Sequence, residues 1–506
     1  MTGARLARRL RTLAWVALGT AALAVAYAPA WSAPLFSDDL QLSHEAYPQF
    51  DGSYATALTE SWVTGWQPNR FSPVGRFFSY TFHFAMHDLA VRSGLSMELW
   101  YRGAGLAMLV ALSAAAALTL VAAARFVARA NGWLRCSRAY AAVSIAIAVL
   151  IQLHPWSTDG LLSIFDVGLG AGVLSLLVVA AGLWAVGSQR PLWLVASVVG
   201  VVAVCGVLFY ETIAAAVAAT AIAYGWAFVS ERRAARPGRR PLMLGLVGVV
   251  IPALVFVAGR IYVSTLDLAE YAGTDVALRP EGVAVLARLT GATVPGYGLR
   301  ELMAMTGGLR VTSLVLVCAF ALIMIVAAAL ILARRRRALT VNRRAWVIVA
   351  MLGTLVLLTY AMHSFTEKYI REIVFPGRVY ISYVTGVAVV AIVLAALALS
   401  VRPRVAERWG MVVLPALGAW VVVQQAANWS AVETFASQSE AVSALSAAVV
   451  EWNPDEAARC VVMERWVETS GEDPRLVHRV VTGANDAYTL DFGEPFCDEV
   501  RLPASL

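Results

Sequence analysis

Charge is scarce in this sequence: 14% of its 506 residues are Asp, Glu, Lys or Arg, and 59% are hydrophobic. A soluble domain carries about a quarter charged residues. So many near-continuous apolar runs could not all be covered by other protein, which sets aside a soluble helical core. Lysine is almost missing, Lys368 being the only one. The net charge of +7 therefore comes from arginine. No basic stripe interleaved with aromatics accompanies it, so no nucleic-acid partner is expected. Zinc-site spacing of cysteine and histidine is absent, as are internal repeats and low-complexity linkers.

What is present is a series of apolar runs of about 18 residues or more, enough to cross a hydrocarbon core of about 30 Å. The reading is an all-α polytopic membrane protein with about eleven transmembrane helices over residues 1–427. A small extracytoplasmic C-terminal domain of mixed α/β type follows over residues 428–506. Arg5, Arg8, Arg9 and Arg11 precede the first span, Leu13 to Ala30. Ala28-Pro29-Ala30-Trp31-Ser32-Ala33 resembles a cleavage site, but Pro29 and Trp31 suit it poorly, and a retained anchor is expected. Later arginines, around Arg125 to Arg138, Arg232 to Arg240, Arg334 to Arg344 and Arg402 to Arg408, follow alternate spans. That asymmetry predicts a multi-pass plasma-membrane protein with a cytoplasmic N-terminus and an extracytoplasmic C-terminus.

In the C-terminal domain, Ser430 to Val450 reads as a helix. Cys460-Val461-Val462-Met463 and Tyr488-Thr489-Leu490 read as short strands. Cys460 and Cys497 are the only two cysteines on the outer side, where a disulfide persists. A bridge between them is expected; two buried free thiols are the alternative.

The chemistry-bearing residues crowd the outer side, above all in the loop 31–102, which reads as the catalytic floor. Asp38-Asp39 lies just beyond the first span. Such a pair can supply a base, one carboxylate raising the other's pKa or orienting an acceptor, or it can simply cap a helix. Arg70, Arg76, Arg260, Arg371, Arg378 and Lys368 are outer cations. They suit the bidentate binding of a phosphate leaving group, or head-group pairing at the interface. His154 opens a polar turn ending at Asp159, and Asp159 and Asp166 share a face if the fourth helix begins near Ser157. Ionisable groups at that depth face a wet cavity or a bundle interior. Glu211 at the tip of a tight outer hairpin reads as support for such a site or as a solvated turn residue. Tyr380 follows Arg378 into a late span.

These pieces in this order resemble the C-class (GT-C) membrane glycosyltransferases, nearest the O-mannosyltransferase-like branch that includes tetratricopeptide-bearing members. Asp38-Asp39 stands for that pattern's acidic pair, and Ser72-Pro73-Val74-Gly75-Arg76 with Tyr80-Thr81-Phe82 for its start of the second span. His154-Pro155 with Thr158-Asp159 resembles a His-Pro turn followed by Thr-Glu, aspartate replacing glutamate. Phe209-Tyr210-Glu211-Thr212 resembles a Ser-Lys-Glu-Thr tip with Tyr210 in place of lysine. Arg378-Val379-Tyr380 resembles an Arg-Tyr-x-Tyr start with one tyrosine lost. The likeness spans about residues 13 to 400, and no tetratricopeptide repeats are seen.

The resemblance implies a GT-C fold, a polyprenyl-phosphate sugar donor, inverting transfer and Asp38 as the base. The expected enzyme moves a sugar from that carrier to an extracytoplasmic glycan, lipid or protein, in contact with membrane lipids. The rivals are a transporter or flippase for a lipid-linked saccharide, and a non-catalytic envelope scaffold. No cofactor is required by the sequence, though a carboxylate pair can hold a divalent ion.

Overall fold

The computed structural model describes residues 2–35, 37–64, 72–128, 136–153, 161–163, 165–265, 276–292, 343–372, 380–400, 403–470, 474–498 and 500. The chain begins with α1 (Thr2–Ala26) and a short 3-10 turn, Ala28–Ser32. Three helices follow where a loop was expected: α2 (Ser37–Gln49), α3 (Tyr54–Thr64) and α4 (Pro73–Ser93). Next come α5 (Met97–Ala128), α6 (Cys136–Leu150), α7 (Phe165–Gly187), α8 (Leu192–Phe209) and α9 (Ala214–Arg233). α10 (Arg239–Gly245) runs through a π turn into α11 (Ile251–Ser264). The remainder are α12 (Pro280–Ala292), α13 (Arg343–Ser364), α14 (Glu367–Glu372), α15 (Tyr380–Ser400) and α16 (Pro403–Gln438). The chain closes with α17 (Glu440–Ala448), α18 (Glu456–Thr469) and α19 (Pro474–Phe492).

Among the described residues, 8 helices are long and apolar enough to cross a membrane, and the protein is a polytopic membrane protein. The third expected span is the shorter apolar helix α6, and the eleventh is part of α16. The eighth, before Arg334, lies outside the described residues. Burial separates centre from edge. The apolar windows of α7 and α15 are 67% buried, against 22% for the Arg239–Val263 helix, so the first two form the middle of the bundle. With no hydrophobic force between helices in lipid, close packing has to hold them. α5 and α7 accordingly share the most extensive contact, while α6 fits between α1 and α15.

The expectation of an α/β C-terminal domain is overturned, because the described residues contain no strand and only an isolated bridge between Val276 and Thr366. Cys460–Met463 lies inside α18 and Tyr488–Leu490 inside α19. The apolar residues follow a helical period: Val477, Val480, Val481, Ala484, Ala487 and Tyr488 are all buried. The Asp455 carboxylate accepts from the Ala458 amide at 3.2 Å, capping α18. The β-favouring Val461-Val462 and Tyr488-Thr489 suggested strands, but the three- and four-residue spacing of the buried positions decides for helix. A disulfide joins Cys460 to Cys497, and the helix read from Ser430 breaks at Ser439, between α16 and α17.

The C-terminal helices dock on the α2–α4 layer. At Gly483 of α19 the His44 backbone is so close that a Cβ would sit 3.1 Å from its carbonyl carbon. A second close approach, at Gly75 of α4, leaves no room for a side chain against the Phe209 carbonyl oxygen. That contact presses α4 onto the tip of the α8–α9 hairpin.

Candidate functional site

Three buried groups converge where α2, α4 and α7 meet. Asp39 of α2, His83 of α4 and Asp166 in the first turn of α7 each offer one ligand atom, and these atoms all lie within 4.8 Å of one another. Their exposures are 1%, 0% and 1%. His83 Nε2 stands 3.8 Å from Asp166 Oδ2, too far for a hydrogen bond. Both Asp166 oxygens and His83 Nε2 are without a hydrogen-bond partner among the described residues. Two carboxylates buried side by side are costly, and unpartnered ones more so.

The surrounding chain holds this arrangement in place. His83 Nδ1 hydrogen-bonds the Tyr101 hydroxyl, which leaves Nε2 facing Asp166. Burial lowers the His83 pKa, the Asp166 charge only partly opposing it, so the ring is neutral and Nε2 can offer a lone pair. Arg102, fully buried at the start of α5, acts as a clamp. Its Nε and Nη2 donate to the Ala33 carbonyl at 3.2 and 3.1 Å, Nη2 also to Pro34, and Nη1 to Leu162 at 2.6 Å. One guanidinium thereby ties the approach to α2 and the approach to α7 onto α5, and so sets Asp39 against Asp166. Tyr27 adds a hydrogen bond to the Leu161 carbonyl at 3.0 Å. Phe82, Tyr101 and Phe165 wall the cluster, with ring centroids 5.5 to 6.2 Å apart.

Of the residues expected from sequence, Asp39 is in the cluster. Asp38 precedes it in α2, but its side chain lies outside the described residues, as do those of Lys368, Arg371 and Tyr380. Arg70, His154, Asp159 and Arg378 lie wholly outside them. α7 begins at Phe165, with Asp166 in its first turn. Arg76 is half-buried on α4, beside the hairpin tip that Gly75 touches. Glu211 is paired rather than loose: Arg260 Nη1 donates to it at 2.8 Å.

Sequence reasoning missed His83, Tyr101 and Arg102. The one available signal was His83 and His87 four apart on α4, a same-face spacing. The fold divides that pair, for His87 turns instead to Asp491 of α19, 3.2 Å from Nε2.

Oxygen, nitrogen and oxygen donors with two negative charges suit a divalent ion. The orphaned Asp166 and His83 atoms fit such an ion directly, so these residues could chelate a metal. The chain matches no protein-family model, no curated protein and no solved structure.

Proposed function

We propose that the protein is a membrane glycosyltransferase, moving a sugar from a polyprenyl-phosphate donor to an extracytoplasmic acceptor with inversion. The observation that carries this reading is the buried Asp39–His83–Asp166 cluster, whose members come from the expected catalytic loop and from the start of the fourth expected span. It supports a site at the end of the bundle away from the arginine clusters. By the positive-inside bias, that end is extracytoplasmic.

In this reading the acceptor hydroxyl attacks the anomeric carbon while a carboxylate takes its proton. The bond from that carbon to the phosphate oxygen breaks, and polyprenyl phosphate departs with the electron pair. Asp38, next to the cluster on α2, serves as the base. Asp39, His83 and Asp166 would hold a divalent cation, which supplies positive charge opposite the leaving phosphate. Arg76, with Arg371, Arg378 and Lys368, adds hydrogen-bond donors to the same phosphate. Arg260 holds Glu211 at the hairpin tip, supporting α4 from behind.

The test is incorporation of radiolabelled sugar from polyprenyl-phosphate donors in membranes, comparing wild type with Asp38→Asn and Asp39→Asn. Loss of a base typically costs about 10²–10⁴-fold, so Asp38→Asn should be inactive at every divalent-cation concentration. Asp39→Asn should keep residual transfer with a raised cation requirement. Incorporation unchanged in both variants would remove the pair from the mechanism. Movement of a lipid-linked saccharide without transfer would favour the transporter reading.

A further inference from the structure

At the opposite end of α5 and α7 the molecule opens into a cleft of about 1760 Å³. Arginines from five separate places line it: Arg125, Arg190, Arg236, Arg240 and Arg344, with Glu231 the only lining carboxylate among the described residues. Arg240 Nη1 donates to the Arg190 carbonyl at 3.2 Å. Its Nε and Nη2 are covered from solvent and have no hydrogen-bond partner among the described residues. Arg344 is held in place, lying over the Trp226 ring at 5.2 Å and donating to the Phe126 carbonyl at 3.0 Å. Buried guanidinium donors left unsatisfied are costly unless an anion meets them.

The cleft is not a pocket for a small soluble ion. Ligand pockets for drug-sized molecules measure roughly 300–1,000 Å³, and this one is larger. Its walls also run down the apolar flank of the spans. Leu118 lies two helical turns from Arg125, about 10 Å deeper along α5. Leu118 and Val198 both line the cleft while remaining 47% and 39% exposed. In a membrane-spanning helix such exposed leucine and valine face lipid chains. The cleft therefore joins a cationic mouth to a lateral opening into hydrocarbon.

We infer that this cleft binds the phosphate headgroup of an anionic glycerophospholipid, with the acyl chains leaving between α5 and α8. Basic pockets between transmembrane helices on the cytoplasmic side suit such headgroups. The inference is independent of the glycosyl-transfer reading, since it uses none of the cluster's residues.

The test uses the full chain in neutral detergent, with bound lipid counted by native mass spectrometry after addition of phosphatidylglycerol or phosphatidylcholine. Phosphatidylglycerol should bind at least tenfold more tightly. The Arg190→Gln, Arg240→Gln double variant should lose that preference. Arg233→Gln, which removes an exposed arginine of the same end that does not line the cleft, should keep it. Should the double variant fail to give a monodisperse protein, Arg190→Gln alone, at an exposed side chain, should weaken binding about threefold. Equal binding of the two lipids, or an unchanged preference in the cleft variants, would overturn the inference. So would displacement of phosphatidylglycerol by millimolar inorganic phosphate, which would mark the cleft as a site for a soluble anion.

Discussion

α5 and α7 join two sites of opposite character. At one end they carry Asp166 of the buried acid–histidine cluster and the Arg102 clamp beside it; at the other they end beside an open cleft of arginines. Along α7 the acidic end at Asp166 lies about 32 Å from Gly187 at the arginine end. Charge at the first end is sequestered and must be compensated from inside. At the second end three of the five lining arginines, Arg125, Arg190 and Arg236, are exposed and can be met from lipid or water. The same residue type should therefore behave differently at the two ends.

The largest contrast concerns arginine itself. Arg102→Leu leaves the carbonyl oxygens of Ala33, Pro34 and Leu162 buried without their donor, and loosens both approaches to the cluster. A loss of about 3–5 kcal/mol is expected, read as a lowered melting temperature in detergent. Arg344→Ala, at the far end, should cost only about 1–2 kcal/mol, the worth of its stacking on Trp226 and its hydrogen bond to the Phe126 carbonyl. Equal losses would dissolve the distinction.

The next effect has the opposite sign. Asp166→Asn removes one buried carboxylate whose oxygens lack partners among the described residues. In the presence of EDTA the variant should be more stable than wild type by about 1–3 kcal/mol. Added manganese or magnesium should raise the melting temperature of wild type and leave that of the variant unchanged. A variant less stable than wild type in EDTA would mean that the carboxylate is satisfied without an ion.

A gradual change with pH should appear at the cluster end, since among the described residues no histidine lines the cleft. His44 of α2 faces His87 and the docked α19, with Tyr47 stacked on His87 and Asp491 bonded to it. Burial first, and then the His87 charge, bring its pKa from 6.5 down to about 3. The unfolded chain takes up that proton near pH 6.5 and the folded chain only near pH 3, so stability falls as pH drops between those values. The slope is about 1.4 kcal/mol per pH unit for one proton. His44→Gln should flatten that part of the melting-temperature profile; an unchanged profile would place the titration elsewhere.

Much of the bundle was legible because a membrane leaves little choice of structure. Apolar runs long enough to span must be helices, and arginine spacing orders them. Asp39 was legible as an acid just beyond the first span. Arg102 was not, because an arginine at the head of a span reads as an interfacial residue until the carbonyls it clamps are in view. His83 lay hidden in the aromatic run Tyr80-Thr81-Phe82-His83-Phe84, and its meeting with Asp166 depends on a contact between distant segments. The C-terminal helices were misread for a local reason: Val461-Val462 and Tyr488-Thr489 are β-favouring pairs, and they outweighed the helical spacing of Val477, Val480, Val481 and Ala484, which was not read.

The divalent-cation requirement of sugar transfer, in wild type and Asp166→Asn membranes, tests the central claim most directly, because Asp166 enters the site through the fold and not through the Asp38-Asp39 pair. Transfer should vanish in EDTA and return with manganese, and Asp166→Asn should need at least about tenfold more cation, one lost ligand costing about 1.4 kcal/mol or more. Transfer that survives EDTA and runs equally in Asp166→Asn would contradict the claim that the buried cluster is the working site.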